Sequence, residues 1–196
     1  LIKYASNAFL ATKISFINEI ANLCELIGAN VGDVAEGVGL DKRIGKSFLN
    51  AGIGYGGSCF PKDTRALDHL AGDHGHVFQL LKAVIDVNNM QKKRFVNKIK
   101  KVLDGVEGKR IGVLGLAFKQ DTDDMREAPA RGLIESVLAA GGTVQAYDPK
   151  ASEEAARIFS GRDGIDFVDS REAAVQGADA LVICTEWKAF RSVDFA

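Results

Sequence analysis

From Lys109 onward the sequence alternates short apolar runs with amphipathic stretches, and this alternation restricts the fold more than any other feature. Ile111–Leu116 reads as a buried strand, Pro129–Ala140 as a helix ended by Gly141-Gly142, and Thr143–Tyr147 as a second strand. A helix starting near Ser152, a short strand at Asp166–Val168, a helix capped by Ser170 and running through Gln176, and a strand at Ala180–Cys184 follow. Strands separated by helices on short connections pair in parallel through crossovers, which predicts a doubly wound, Rossmann-like sheet.

The first half has a different period. Phe9, Phe16, Ile20, Leu23 and Ile27 fall at helical spacings, and Gly28 is suited to close that helix. Val31, Val34 and Val38 share one side of a short helix with Asn30 as its cap. Leu80, Leu81, Val84, Val87, Phe95, Ile99 and Val102 predict a long helix over Val77–Leu103. The fold class is therefore α plus α/β. An all-helical domain with its long connecting helix covers 1–104, and a Rossmann-like domain covers 105–196.

Several function classes lose support at this level. A net charge of −1 argues against general attraction to nucleic acid or to an anionic membrane. No apolar run is long enough to span a bilayer, and with no signal-like segment the expected location is cytoplasmic. The three cysteines form neither a disulfide framework nor a zinc spacing, and Cys24 and Cys184 read as inert core residues. His69, His74 and His76 have no acidic or cysteine partner at a ligand spacing, so no metal is expected. The chain opens without Met, directly into helical periodicity, and so reads as part of a longer protein.

Residues 39–60 form a long loop with glycines at 39, 45, 52, 54, 56 and 57, and loops of this length in compact domains are usually functional. The loop leads into Gly54-Tyr55-Gly56-Gly57-Ser58-Cys59-Phe60-Pro61-Lys62-Asp63. Pro61 suits the first position of a helix, which puts Cys59 at or just before the cap. There, unpaired N–H groups and the helix dipole favour a thiolate over a thiol. Gly54, Gly56 and Gly57 leave room for a ligand beside the backbone. A lone cysteine after a glycine-rich turn is ordinarily inert, but Lys62, Asp63 and three glycines mark this one as a nucleophile with space for a substrate.

Other polar groups are weaker signals. Lys3 and Asn7 share one helix face, which also suits a solvated edge. Arg43 and Lys46, beside Lys42, could hold a phosphate or simply face solvent. Gly112-Val113-Leu114-Gly115-Leu116-Ala117-Phe118-Lys119 follows a strand but lacks the G-x-G-x-x-G spacing of a dinucleotide fingerprint. A nucleotide crevice at the carboxyl ends of the strands remains the usual site for such a sheet. Asp121–Glu127 reads as a polar loop leading into the Pro129 helix.

Taken together these segments resemble the UDP-glucose/GDP-mannose dehydrogenase family, and within it the branch acting on UDP-glucose. Lys3…Asn7-Ala8-Phe9-Leu10-Ala11 resembles the family's opening core helix. Asp41-Lys42-Arg43-Ile44-Gly45 and the cysteine decapeptide resemble its active-site loop. Gly115-Leu116-Ala117-Phe118-Lys119, Asp121-Thr122-Asp123-Asp124, Arg126-Glu127 and Cys184-Thr185-Glu186-Trp187 resemble its third domain.

The resemblance implies a four-electron oxidation, in which two NAD molecules convert the sugar's C6 alcohol of UDP-glucose to the carboxylate of UDP-glucuronate. Cys59 would carry the thiohemiacetal and thioester, with Lys3 and Asn7 as donors to the oxyanion and Asp63 as base or water-ordering group. Substrate contacts carry over to Lys3, Asn7, Phe48, Asn50, Ile53, Tyr55, Gly56, Phe118 and Lys119. Arg43 is expected to reach the partner's site in a homodimer formed through the helical domain. Cys59, Lys62 and Arg126 would lie near NAD, and the second half would be a uridine-diphosphate domain. The family's N-terminal NAD domain and a C-terminal arginine are not in the sequence, so the chain by itself is expected not to turn over. Rival readings are a dehydrogenase for GDP-mannose or a UDP-N-acetylhexosamine, and a non-catalytic nucleotide-sugar-binding or dimerisation module. A cysteine hydrolase is disfavoured because no histidine lies near Cys59 in sequence.

Overall fold

The computed structural model describes residues 1–192, which divide into two compact units. The first comprises Leu1–Tyr55 and Cys59–Gln91, and the second Gly56–Ser58 together with the chain from Lys92.

The first unit is helical. Its elements are α1 (Ile2–Ile27), α2 (Val31–Gly39), α3 (Phe60–Asp73) and the opening turns of α4 (Gln79–Val102). Gly28 ends α1 in the left-handed conformation (φ 73°), and the Asn30 side chain accepts the Gly32 N–H at 2.8 Å to start α2. The core lies where Ala8 meets Leu67 and Leu81, and where Ala11 meets Tyr55 and Val84. Small residues make this packing close: Ala8, Ala11 and Ser15 line the inner face of α1, and Ser15 Oγ donates to the Val84 carbonyl at 3.1 Å.

Most of the large apolar residues that the helical spacing singles out on α1 do not build this core, although Ile17 is buried and Ile14 packs against the core. Phe9, Phe16, Leu23 and Ile27 are half or more exposed. Helical periodicity locates the apolar stripe without saying which side is buried, and here the close contacts select the alanine side. The long helix is α4, starting two residues later and ending one residue earlier than its apolar pattern suggests.

The second unit is the parallel sheet. Strands β1 (Arg110–Leu114), β2 (Thr143–Tyr147), β3 (Ile165–Phe167) and β4 (Ala180–Ile183) run in the order β3-β2-β1-β4, every pair parallel. Ile111 lies opposite Val144 and Ala180, and Leu114 opposite Tyr147 and Ile183. Helices α5 (Pro129–Ala139), α6 (Ser152–Ile158) and α7 (Arg171–Val175) supply the crossovers. The core joins Ile111, Val113, Val144 and Ala146 to Ile134 and Val137 of α5, with Phe95 and Ile99 of α4 contributing. Gly112 has no side chain because the Ala174 carbonyl of α7 occupies the space a Cβ would need. The strand order reverses between β1 and β4, so a crevice is expected at their carboxyl ends, where residues 115–119 and 184–187 emerge.

Candidate functional site

In the helical unit the site is built on the first turn of α3. Cys59 is the N-cap residue and is exposed, Phe60 takes the first helical position, and Pro61 the second rather than the first. Both positions tolerate proline, because neither N–H has an intrahelical acceptor. One turn on, the Asp63 N–H donates to the Cys59 carbonyl at 2.8 Å.

The Asp63 carboxylate is wholly enclosed, and three donors reach it. Asn7 Nδ2 donates to Oδ2 at 2.7 Å, Lys3 Nζ stands 3.4 Å from the same oxygen, and Lys62 Nζ lies 2.8 Å from Oδ1. The Lys62 ammonium, followed by Asn7 and Lys3, holds the Asp63 carboxyl below the usual range against the opposing effect of burial. Reciprocally, Asp63 raises the Lys62 ammonium. Lys3 and Asn7, four apart on α1, are thus brought to one carboxylate next to the cysteine turn.

The loop residues are placed differently. Arg43 is paired bidentately with Asp41, Nη2 to Oδ2 at 2.6 Å and Nε to Oδ1 at 3.0 Å, and Lys46 pairs with Glu36 at 3.0 Å. Arg43 is therefore not among the groups that converge on Asp63. Phe48 adopts a left-handed backbone (φ 65°) and meets the Phe60 ring edge-on at 6.1 Å. Tyr55 meets the same ring at 5.9 Å, and burial pushes its phenol pKa up. Asn50 is exposed, and Ile53 is half-buried.

In the sheet unit a second group of residues assembles. The Gly57 N–H donates to the Arg126 carbonyl at 2.8 Å. A Cβ on Gly56 would overlap the Glu127 carbonyl, and one on Gly57 (φ 83°) would sit 2.6 Å from the Phe118 ring. The two glycines are therefore required by packing, a separate reason from ligand access. Phe118 donates its N–H to the Asp124 carbonyl at 3.1 Å, and Lys119 Nζ lies 5.3 Å from the centre of the Phe118 ring. Asp124 grips Arg126 through Nε at 2.9 Å and Nη2 at 2.7 Å, and Arg126 in turn holds the Asp124 carboxyl below its usual range.

Sequence reasoning missed Asp148, at the carboxyl end of β2. It is buried, and its Oδ2 accepts the N–H groups of Leu116 (2.8 Å) and Ala117 (3.3 Å) and the Trp187 indole N–H (3.2 Å). Its Oδ1 accepts the Lys150 and Ala151 N–H groups at 2.8 and 2.9 Å. An acidic residue at this strand end binds the ribose in dinucleotide-binding folds. Here the carboxylate is spent on the protein's own backbone, in keeping with the imperfect glycine pattern of β1. Gly115 (φ 87°) lies where a Cβ would strike Thr185, and Thr185 Oγ1 donates to the Ala117 carbonyl at 2.6 Å. Also missed were three buried amides of the helical unit, Asn18, Asn88 and Gln91, which sit at polar positions inside otherwise apolar helix faces.

Among the described residues no group of three or more His, Cys, Asp or Glu could hold a metal ion, and no helix is long and apolar enough to cross a membrane. Burial pushes the Cys184 thiol up to about 12.

Comparison with known proteins agrees with this geometry. Residues 1–90 match the central domain of the UDP-glucose/GDP-mannose dehydrogenase family, and residues 112–196 match its UDP binding domain. The chain is 54% identical over 187 residues to a UDP-glucose 6-dehydrogenase of Bacillus subtilis, covering 95% of this chain and 42% of that protein. It is 53% identical over 196 residues to one from Rhizobium meliloti, covering all of this chain and 44% of that protein. A UDP-glucose dehydrogenase structure from Pyrobaculum islandicum superposes with a TM-score of 0.96 at 40% identity, over 100% of this chain and 45% of that one. The chain thus spans less than half the length of these relatives.

Proposed function

The chain belongs to the UDP-glucose/GDP-mannose dehydrogenase family, and from that premise we propose that it carries the nucleophile and the UDP-binding elements of an NAD-dependent oxidation of UDP-glucose to UDP-glucuronate. The observation that carries this reading is the convergence of Lys3, Asn7 and Lys62 on the enclosed Asp63 carboxylate, one helical turn from an exposed cysteine.

Once the C6 alcohol has given up a proton and, to the hydride acceptor, a first hydride, Cys59 adds through sulfur to the resulting aldehyde, its proton passing to the former carbonyl oxygen, to give a thiohemiacetal. Once that adduct is oxidised, the resulting thioester is cleaved by water, releasing the carboxylate and restoring the thiol. Lys3 and Asn7 donate to the oxygen that gains charge in the addition and hydrolysis steps. Asp63, held ionised, is a weak base; its part is to fix Asn7 and Lys3 and to order the attacking water. NAD supplies the hydride acceptor when bound. On the helical unit the exposed Lys62, beside Cys59, is a cation suited to an anionic cofactor group; on the sheet unit Arg126, braced by Asp124, is another.

On the sheet unit, Phe118 and Lys119 emerge from the crevice end of β1 and serve the nucleotide sugar, with Gly56 packed against the same loop. Within the helical unit, Phe48, Asn50, Ile53 and Tyr55 are assigned to substrate contacts by the family resemblance. A homodimer is supported by α1, where Phe9, Phe16 and Leu23 recur every seven residues and are exposed. Arg43 is the residue offered to the partner's site.

The test is UDP-glucose-dependent NADH production by the protein containing this chain, with UDP-N-acetylglucosamine and GDP-mannose run in parallel. Turnover is expected with UDP-glucose and lost in Cys59→Ala. Undiminished turnover in Cys59→Ala, or a preference for either other sugar nucleotide, overturns the reading.

A further inference from the structure

The stretch Gly52–Tyr55 has no regular secondary structure and no strand beside it, yet the backbone groups at its two ends are all hydrogen-bonded. Asn88 of α4 satisfies Tyr55 alone: its Oδ1 accepts the Tyr55 N–H at 2.7 Å, and its Nδ2 donates to the Tyr55 carbonyl at 3.2 Å. One turn further along α4, Gln91 Nε2 donates to the Gly52 carbonyl at 2.8 Å. Asn18 of α1 completes Gly52 by accepting its N–H at 2.8 Å, and Asn22 braces Gln91 by donating to Oε1 at 3.1 Å.

A carboxamide serves both Tyr55 groups at once, from separate donor and acceptor atoms. A carboxylate has no donor for the carbonyl and an ammonium has no acceptor for the N–H. The side chain takes the place a neighbouring strand's peptide would fill. Asn18 and Asn88 are nearly inaccessible to solvent, and Gln91 is also buried, so water cannot substitute. Gly54 is shaped to the same device: at φ 102° a Cβ there would lie 2.7 Å from Asn88 Oδ1. The clamp reaches the cysteine turn through Tyr55, whose ring packs edge-on at 5.9 Å against Phe60, the residue after Cys59.

We infer that Asn88 and Gln91, braced by Asn18 and Asn22, are positioning residues that hold the Gly52–Tyr55 run and so present Cys59 at the N-terminus of α3. The inference rests on Cys59 being the reacting group. Releasing the run loosens the packing of Tyr55 on Phe60 and lets the sulfur wander from its place at the start of α3, and its reactivity falls.

The experiment is iodoacetamide alkylation of the 196-residue chain near neutral pH, with rates read at each cysteine by peptide mass spectrometry. Asn88→Ala and Gln91→Ala are expected to slow alkylation of Cys59 by about fivefold or more, while buried Cys24 stays protected and reports that the fold persists. Gly54→Ala, which leaves every amide in place but crowds Asn88, is expected to do the same. Asn88→Asp, which keeps the acceptor and the size, is expected to fall between; it decides the matter if Asn88→Ala does not fold. A structural role alone lowers the melting temperature and leaves the Cys59 rate of folded protein unchanged. Wild-type Cys59 rates in folded Asn88→Asp and Gly54→Ala overturn the inference. The ratio of wild-type Cys59 to a free-thiol peptide separately tests whether Cys59 is activated, so failure of that reading is seen apart from failure of the clamp.

Discussion

Asn7 Nδ2 stands 2.7 Å from Asp63 Oδ2, joining residues 56 positions apart through one charge-assisted hydrogen bond. The bond ties the first turns of α1 to the first turn of α3. It also commits an enclosed carboxylate to holding other groups rather than to accepting a proton from solvent.

Asp63→Asn removes the charge on which Lys3, Lys62 and Asn7 converge. UDP-glucose oxidation by the protein containing this chain is expected to fall by about 100-fold or more. Folding stability is expected to fall by only about 1 kcal/mol, because Lys3 and Lys62 remain solvated and screened. The folded carboxyl pKa lies below the unfolded value of about 3.9. Its contribution is therefore complete above that value and lost as pH falls through the folded one. Denaturant titrations of both proteins should converge in acid; a gap that stays constant from neutral to acid pH contradicts this account.

Gly56→Ala drives a methyl into the Glu127 carbonyl, whereas Gly52→Ala meets nothing within 4 Å. The first substitution is expected to cost about 1–3 kcal/mol and to weaken UDP-glucose binding by calorimetry. The second should behave close to wild type in melting temperature. Equal melting temperatures for the two variants would contradict the packing described for residues 56–58.

Asp148→Asn leaves an amide facing N–H donors that a carboxylate accepts from both oxygens. A loss of about 1–3 kcal/mol is expected, together with weaker UDP binding, because the turn after β1 loses its anchor. A variant with wild-type stability and wild-type UDP affinity would show that the five N–H bonds do not act as described.

The half-buried Cys184 thiol, pushed up to about 12 by burial, is expected to be alkylated more slowly in the folded chain than after unfolding. Its folded pKa exceeds the unfolded value of about 8.5. Its contribution to stability is therefore full below that value and declines as pH rises toward the folded one. Cys184→Ala should flatten the loss of stability in that alkaline window. An unchanged slope would argue against a raised Cys184 thiol.

Phe16→Asp puts a charge in the middle of the exposed apolar stripe of α1. If the proposed homodimer forms through this stripe, the variant sediments as a monomer where the unsubstituted chain sediments as a dimer, with the helical circular dichroism intact. Persistence of the dimer would place the interface elsewhere.

Strands β1 and β4 were legible because each is a continuous apolar run, β1 being buried at four of its five positions, while β2 was legible by alternation, with Val144 and Ala146 buried around Gln145. Helix ends were legible wherever a local device marks them, as at Gly28 and Asn30. The buried side of α1 was not, since periodicity weights the phenylalanines and the packing used alanines. At the site, Asp63 stood out beside the cysteine, whereas Lys3 and Asn7 were marked only by the family resemblance, and the convergence of the three was silent because it needs two helices to approach. Asp148 and Asn88 gave no sequence signal, because a single polar residue beside an apolar run looks like an element edge. The left-handed backbone of Phe48 was equally silent, since such residues carry no glycine to announce them.

Asp148 has one more consequence, for how the sheet unit opens. It gathers amide hydrogens from the turn after β1, from its own turn after β2, and the indole hydrogen of Trp187 beyond β4. Three strand ends therefore share one carboxylate, and any displacement of that carboxylate breaks the bonds to all three together. In native-state hydrogen exchange the amides of Leu116, Ala117, Lys150 and Ala151 should open as one cooperative block, making the nucleotide end of the sheet a single foldon rather than a set of independently breathing loops.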